Sequence, residues 1–195
     1  PVALAREMAG CRVAGISVVT EASHFGGRMD LLRAVAAAVD LPVLHKDFIT
    51  TDEQLEASAA AGATAVLLIS AFLASERIDR LIRSARACGL ETLVEVRSLA
   101  EIERVGHLPF DLMGINNRDI TRYEVDGGDV GRTEALARFG KDHRPLISES
   151  AIRSAADTRR AGAGGADAVL VGTAVLQAER ASDLLHALTS VGWPV

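Results

Sequence analysis

The chain has 195 residues, about half of them apolar, enough for one sizeable core and short for two domains. Its formal charge of -5 leaves no broad basic footprint for nucleic acid, and no apolar run approaches the roughly 18 residues of a membrane span. Cys11 and Cys88 lie far apart without a second pair of metal ligands, which favours free thiols over a disulfide or zinc site and suits a soluble cytoplasmic protein.

Residues 1–10 read as the end of a helix, after which β-rich runs and helical patterns alternate without exception. Strands are predicted over 14–20, 42–48, 65–70, 92–96, 112–117, 146–150 and 168–173. Helices are predicted over 29–39, 52–61, 76–88, 99–105, 132–139, 152–161 and 181–191, with Gly62 and Gly89 where helix ends need a left-handed residue. Such βα alternation implies a parallel sheet with right-handed crossovers, either doubly wound or closed as a (β/α)8 barrel. Gly62-Ala63-Thr64-Ala65-Val66-Leu67-Leu68-Ile69 echoes Gly165-Ala166-Asp167-Ala168-Val169-Leu170-Val171-Gly172 four βα units later. Half-barrel repetition gives that spacing, although any helix-to-strand junction has a similar composition. As a single barrel domain over 1–195, the chain displays seven of eight βα units and lacks the first strand.

Several of the apolar runs end in polar side chains: Lys46 and Asp47, Glu95, Asn116 and Arg118, then Glu149 and Ser150. At the carboxyl ends of parallel strands these groups converge where α/β enzymes keep their chemistry. Taken singly, Lys46-Asp47 also fits a solvated ion pair at the rim, Ser148-Glu149-Ser150 a helix cap, and Arg118-Asp119 a loop salt bridge. Glu95 is harder to explain by structure alone, because a carboxylate between Val94 and Val96 needs a partner to offset its desolvation. Ser150-Ala151-Ile152 and Gly172-Thr173 lie at strand-to-helix junctions, where backbone amides favour an anion. The five histidines show no metal-ligand spacing, and His24 and His45 merely flank the predicted site.

The ordered series Ser17-Val18-Val19-Thr20-Glu21 with Phe25-Gly26-Gly27, Lys46-Asp47-Phe48, Leu93-Val94-Glu95-Val96, Gly114-Ile115-Asn116-Asn117-Arg118-Asp119 and Ser148-Glu149-Ser150 resembles the indole-3-glycerol phosphate synthases of tryptophan biosynthesis, over essentially the whole chain. That resemblance implies a (β/α)8 TIM barrel of the phosphate-binding type and a carbon-carbon lyase. The implied reaction closes, decarboxylates and dehydrates 1-(o-carboxyphenylamino)-1-deoxyribulose 5-phosphate to indole-3-glycerol phosphate. It further implies Lys46 as general acid, Glu95 as general base, and Asn116 and Glu149 as residues that orient the substrate. Phe25, Phe48 and Leu67 match apolar walls for the anthranilate ring, with Arg118 and Ser150 as further substrate contacts. Ser150, Ala151, Gly172 and Thr173 are expected to hold the phosphate, with no metal, no organic cofactor, and a monomer as the working unit.

The match has gaps. The family's first strand, with a lysine, an acidic residue and a Ser-Pro-Ser segment, has no counterpart here, so roughly 50 further residues are expected upstream, in a barrel of about 250. Ala151 replaces a usual glycine, His45 a usual arginine or apolar residue, and Gly172–Gln177 is looser than the family's ending. A diverged paralogue is the alternative: another phosphosugar barrel, such as phosphoribosylanthranilate isomerase or the tryptophan synthase α subunit, or a non-catalytic ligand-binding barrel.

Overall fold

In the computed structural model, which describes residues 1–123, 127–140 and 144–192, every predicted strand and helix forms. The chain begins with α1 (Val2–Ala9) and continues through β1 (Ile16–Val19), α2 (Met29–Ala36), β2 (Val43–Lys46), α3 (Asp52–Ala60) and β3 (Ala65–Ile69). Then come α4 (Ser75–Ala87), β4 (Glu91–Val96), α5 (Leu99–Val105), β5 (Leu112–Asn116), α6 (Gly131–Gly140) and β6 (Leu146–Glu149). The last elements are α7 (Ala155–Ala163), β7 (Ala168–Leu170), α8 (Thr173–Gln177) and α9 (Ala181–Thr189).

All seven strands are parallel and neighbour one another in chain order. A doubly wound sheet would reverse its strand order at a switch point, so consecutive order identifies the barrel architecture, the (β/α)8 TIM type. The core accordingly has two layers. Val66, Leu68, Val94 and Ile115 pack outward against helix residues such as Leu55, Ile78, Ile82 and Ile102. Leu67, Ile69 and Leu93 point inward with Leu44, Leu112, Ile147 and Leu170. This double burial explains why β3 is apolar at all five positions.

Helix starts follow capping chemistry. Thr51 and Gln54 form a capping box on α3, while Ser98 and Ser154 accept the Glu101 and Asp157 amides. Gly62 and Gly89 adopt φ of +87° and +74°, the left-handed conformation predicted for them. Two expectations are corrected. The predicted strand over 168–173 stops at Leu170, and Gly172 caps the short helix α8 instead. The predicted helix over 152–161 begins only at Ala155, and its cap is Ser154 rather than the Ser148-Glu149-Ser150 segment. Residues 1–10 carry helix α1, in line with the helix end predicted there, and it packs beside α9. Among the described residues β1 pairs with β2 alone and β7 with β6 alone.

Candidate active site

Strand register builds the site. Leu44, Ala65 and Glu91 stand level at one depth of the barrel, and Ile69, Glu95, Gly114 and Ile147 share a layer nearer the carboxyl ends. Asn116 is level with Glu149 and Leu170 above that. Alternation along each strand therefore aims Lys46, Glu95, Asn116 and Glu149 into one space. Lys46 Nζ lies 3.3 Å from Glu95 Oε2 and 3.3 Å from Glu149 Oε2. The carboxylates are 2% and 0% exposed and the lysine 17% exposed, so one partly accessible cation bridges two buried anions. Carboxylates at that depth need such a partner, which answers the question raised by Glu95 between two valines. Asn116 is wholly buried, and its Oδ1 accepts the Arg118 amide at 2.9 Å.

Gly114 makes room for this cluster. A Cβ there would overlap Glu149 Oε1 and reach within 3.3 Å of Leu93 Cδ1. A glycine inside a strand signals close approach of another group, and here the group is the Glu149 carboxylate.

A second layer supports the carboxyl end of β6 from outside the barrel. Asn117 Nδ2 donates to Ser148 Oγ at 2.9 Å, Glu149 O at 3.0 Å and Ser150 O at 3.1 Å. Its Oδ1 accepts from the Thr133 amide and hydroxyl at 3.1 and 3.0 Å, and Arg132 donates to the carbonyls of Asn116 and Arg118. Ser150 and Ala151 then take φ of +64° and +60°, a left-handed pair without glycine. Ala151 thus reaches the backbone shape that glycine favours despite its Cβ.

The predicted binding residues gather around one cavity of about 1600 Å³, which extends from the mouth down to the β1 and β7 edges. Phe25, Phe48, Leu67 and Arg118 line it, as do Ser150, Ala151, Gly172 and Thr173. Phe48 meets Phe72, unremarked in the sequence, edge to face at 5.3 Å between ring centroids. The loop carrying Phe25 is tied by Glu21, whose carboxylate accepts the amides of Ser23, His24 and Phe25. Desolvation raises the Glu21 carboxyl, and those amide bonds more than offset it, leaving it below its ordinary value. His24 stacks on Tyr123 with centroids 3.8 Å apart.

The rim charges pair differently from the sequence expectation. Asp119 pairs with Arg97 of the loop after β4, and Thr20 donates to Asp47 at the ends of β1 and β2. Burial acts to raise the Asp47 carboxyl, but the His45 ring 3.8 Å away and bonds from Thr20 and the Phe48 amide hold it below the usual aspartate range. Among the described residues no three His, Cys, Asp or Glu side chains cluster to hold a metal ion, and no helix is long and apolar enough to cross a membrane. The supporting roles of Gly114, Asn117, Thr133 and His45 are not evident from sequence. Gly114 carried a usable signal, as a glycine within an apolar strand, and His45 one as a departure from the family pattern.

A parallel barrel whose strand ends converge on a lysine between two buried carboxylates defines an acid–base (β/α)8-barrel enzyme. A model of the indole-3-glycerol phosphate synthase family matches residues 1–188, and the chain belongs to that family. The indole-3-glycerol phosphate synthase of Halobacterium salinarum is 44% identical over 176 residues, covering 90% of this chain and 67% of that protein. The synthase of Pyrococcus furiosus is 40% identical over 185 residues, covering 95% and 80%. The fold also superposes on 3-hexulose-6-phosphate synthase from Salmonella typhimurium with a TM-score of 0.73 at 15% identity, over 89% of this chain and 85% of that one, a likeness of fold alone.

Proposed function

We propose that this chain catalyses the indole-3-glycerol phosphate synthase reaction, a carboxy-lyase step on 1-(o-carboxyphenylamino)-1-deoxyribulose 5-phosphate. The observation that carries the reading is Lys46 Nζ at 3.3 Å from both Glu95 and Glu149, with Lys46 itself lining the large cavity. Ring closure requires a proton for the ketone oxygen as the carboxylate-bearing arene carbon attacks, and Lys46 supplies it. Loss of carbon dioxide then restores the aromatic ring. Dehydration needs the hydroxyl to leave as water while a base accepts a proton, the role given to Glu95. Glu149 and Asn116 orient the substrate and fix the charge around Lys46.

Phe25, Phe48 and Leu67 offer the aryl ring an apolar wall, and Arg118 suits the substrate's carboxylate. Ser150, Ala151, Gly172 and Thr173 follow the last two strands, beside the short helix α8, a position where barrels of this kind hold phosphate. The family and that polar end favour a small phosphosugar substrate, handled by a monomer in the cytoplasm without metal or organic cofactor.

Steady-state turnover of the anilino-deoxyribulose phosphate tests the assignment. Lys46→Met and Glu95→Gln should each lower kcat by about 100-fold or more with the fold retained by circular dichroism. Wild-type turnover in either variant would remove that residue from the chemistry. Tight binding without turnover in the unmodified chain would overturn the assignment.

A further inference from the structure

One buried titratable side chain adjoins this site without entering the proposed reaction. His45 is 3% exposed and precedes Lys46 on β2, its ring on the opposite face of the strand, toward α3. Its Nδ1 lies 2.7 Å from Ser58 Oγ of α3, and its Nε2 lies 2.6 Å from Thr20 Oγ1 beyond the end of β1. Asp47 Oδ2 stands 3.8 Å from the same Nε2.

The hydrogens in this chain can be counted. Ser58 has one hydroxyl hydrogen, and it points to the Gln54 carbonyl at 2.6 Å. Thr20 likewise has one, and it points to the Asp47 carboxylate. Both hydroxyls therefore present only lone pairs to the imidazole. With Asp47 ionised, a neutral imidazole, which carries hydrogen on one nitrogen and needs a donor at the other, would leave one bond of the chain without its hydrogen. A proton on Asp47 would instead turn the Thr20 hydroxyl toward a neutral ring, an arrangement disfavoured by the Phe48 amide and Thr20 hydroxyl bonds that lower the Asp47 carboxyl. A ring with hydrogen on both nitrogens satisfies all four, and the charge it buries is offset by Asp47 beside it.

We propose that His45 is a positioning residue of the active site, a doubly protonated imidazole that ties α3 to the ends of β1 and β2 and holds the Lys46-Asp47-Phe48 corner from behind. Asp47 completes the path by accepting the Phe48 amide at 2.7 Å. The strand end thus runs continuously from Gln54 through Ser58, His45, Thr20 and Asp47 to Phe48. Lys46 sits inside that span, and its side chain leaves from the opposite face toward Glu95 and Glu149. Only the consequence for turnover rests on the synthase reading; the hydrogen count stands apart from it.

Nitrogen-15 and proton NMR of the histidine-labelled chain near neutral pH reads the ring directly, with His45→Gln or His45→Arg identifying the resonance. Two protonated ring nitrogens with slowly exchanging hydrogens are expected, and one bare nitrogen would overturn the proposal. Kinetics supply the second arm. His45→Gln, which offers both a donor and an acceptor, should lower kcat by about 10-fold or more while KM moves by less than about 3-fold, because Lys46 is misaimed and the binding walls are not. His45→Arg, a donor in several directions, should recover most of that loss. Equal turnover in the two variants, or a loss confined to KM, would overturn the positioning role. Should the unmodified chain prove inactive as a synthase, or His45→Gln fail to fold, the ring-hydrogen measurement on the wild type decides the proposal.

Discussion

The wall formed by β3, β4 and β5 and the two outer strands β1 and β7 are built to different standards. β3 and β4 pair over five residues, from Ala65 with Glu91 to Ile69 with Glu95, and β3 is buried throughout. β7 has three residues, each half-buried, and pairs on one side only among the described residues. Acid–base chemistry demands fixed geometry, and of the residues proposed for it Glu95 and Asn116 stand on the wall, Glu149 on the next strand and Lys46 on β2, which pairs with both β1 and β3. The residues proposed for phosphate, Gly172 and Thr173, stand beyond β7, where backbone rather than side-chain packing would do the binding. Side-chain charges and the proposed backbone anion site thus fall to different parts of one barrel.

Substituting two glycines sets these regions against each other. Gly114→Ala puts a methyl where the Glu149 carboxylate lies, so the carboxylate must leave Lys46 or the strands must part. Turnover should fall by about 100-fold or more, with a loss of roughly 1–3 kcal/mol in chemical denaturation for the overpacked interior. At Gly172 an added Cβ would meet nothing within 4 Å, and Gly172→Ala should be nearly silent. Gly172→Asp adds an anion at the same place and should raise KM about 10-fold or more with kcat retained, provided phosphate binds there. Equal tolerance of alanine at both positions would erase the contrast between wall and edge.

Asp47 tests the edge at β1 and β2 by pH. Its folded carboxyl lies below its unfolded value, which is near 3.9, so its stabilisation is complete above that value and disappears as pH falls through the folded one. Asp47→Asn should therefore be less stable than wild type at neutral pH, and the difference should shrink below about pH 4. Urea midpoints at pH 7 and pH 3 measure it. A difference that grows in acid would mean that the Thr20 and Phe48 bonds do not stabilise the anion.

The wall was the more legible region in the sequence, and the reason is physical. Strands buried on both faces leave long apolar runs, so a charged residue such as Glu95 or Glu149 stands out against them. The edge blurred the same signal. Ala168-Val169-Leu170-Val171 continues apolar past the last strand residue, which hid the start of α8 at Thr173. Supporting groups were invisible for another reason: Asn117, Thr133 and Ser148 are ordinary polar residues whose convergence depends on β5, α6 and β6 meeting in space. His45 was legible as a departure from the family, while its two hydroxyl partners 13 and 25 positions away were not.

The smallest effect is expected at Ala151, and it comes from terms that nearly cancel. A left-handed alanine costs about 1–2 kcal/mol relative to its ordinary backbone, which argues that Ala151→Gly should stabilise the turn. Against this, the methyl is buried, so its removal forfeits about 0.8 kcal/mol of apolar burial. The added freedom of glycine in the unfolded chain removes a further ~0.4–1 kcal/mol. Ala151→Gly should therefore shift unfolding by no more than about 0.5 kcal/mol, whereas Ala151→Val, β-branched at φ of +60°, should cost about 2 kcal/mol or more. Thermal and urea unfolding of the pair decide the matter. A large gain from glycine would mean that the Asn117 bonds to Glu149 and Ser150 carry the strain of this turn; a small one means that burial of the alanine methyl already compensates it locally.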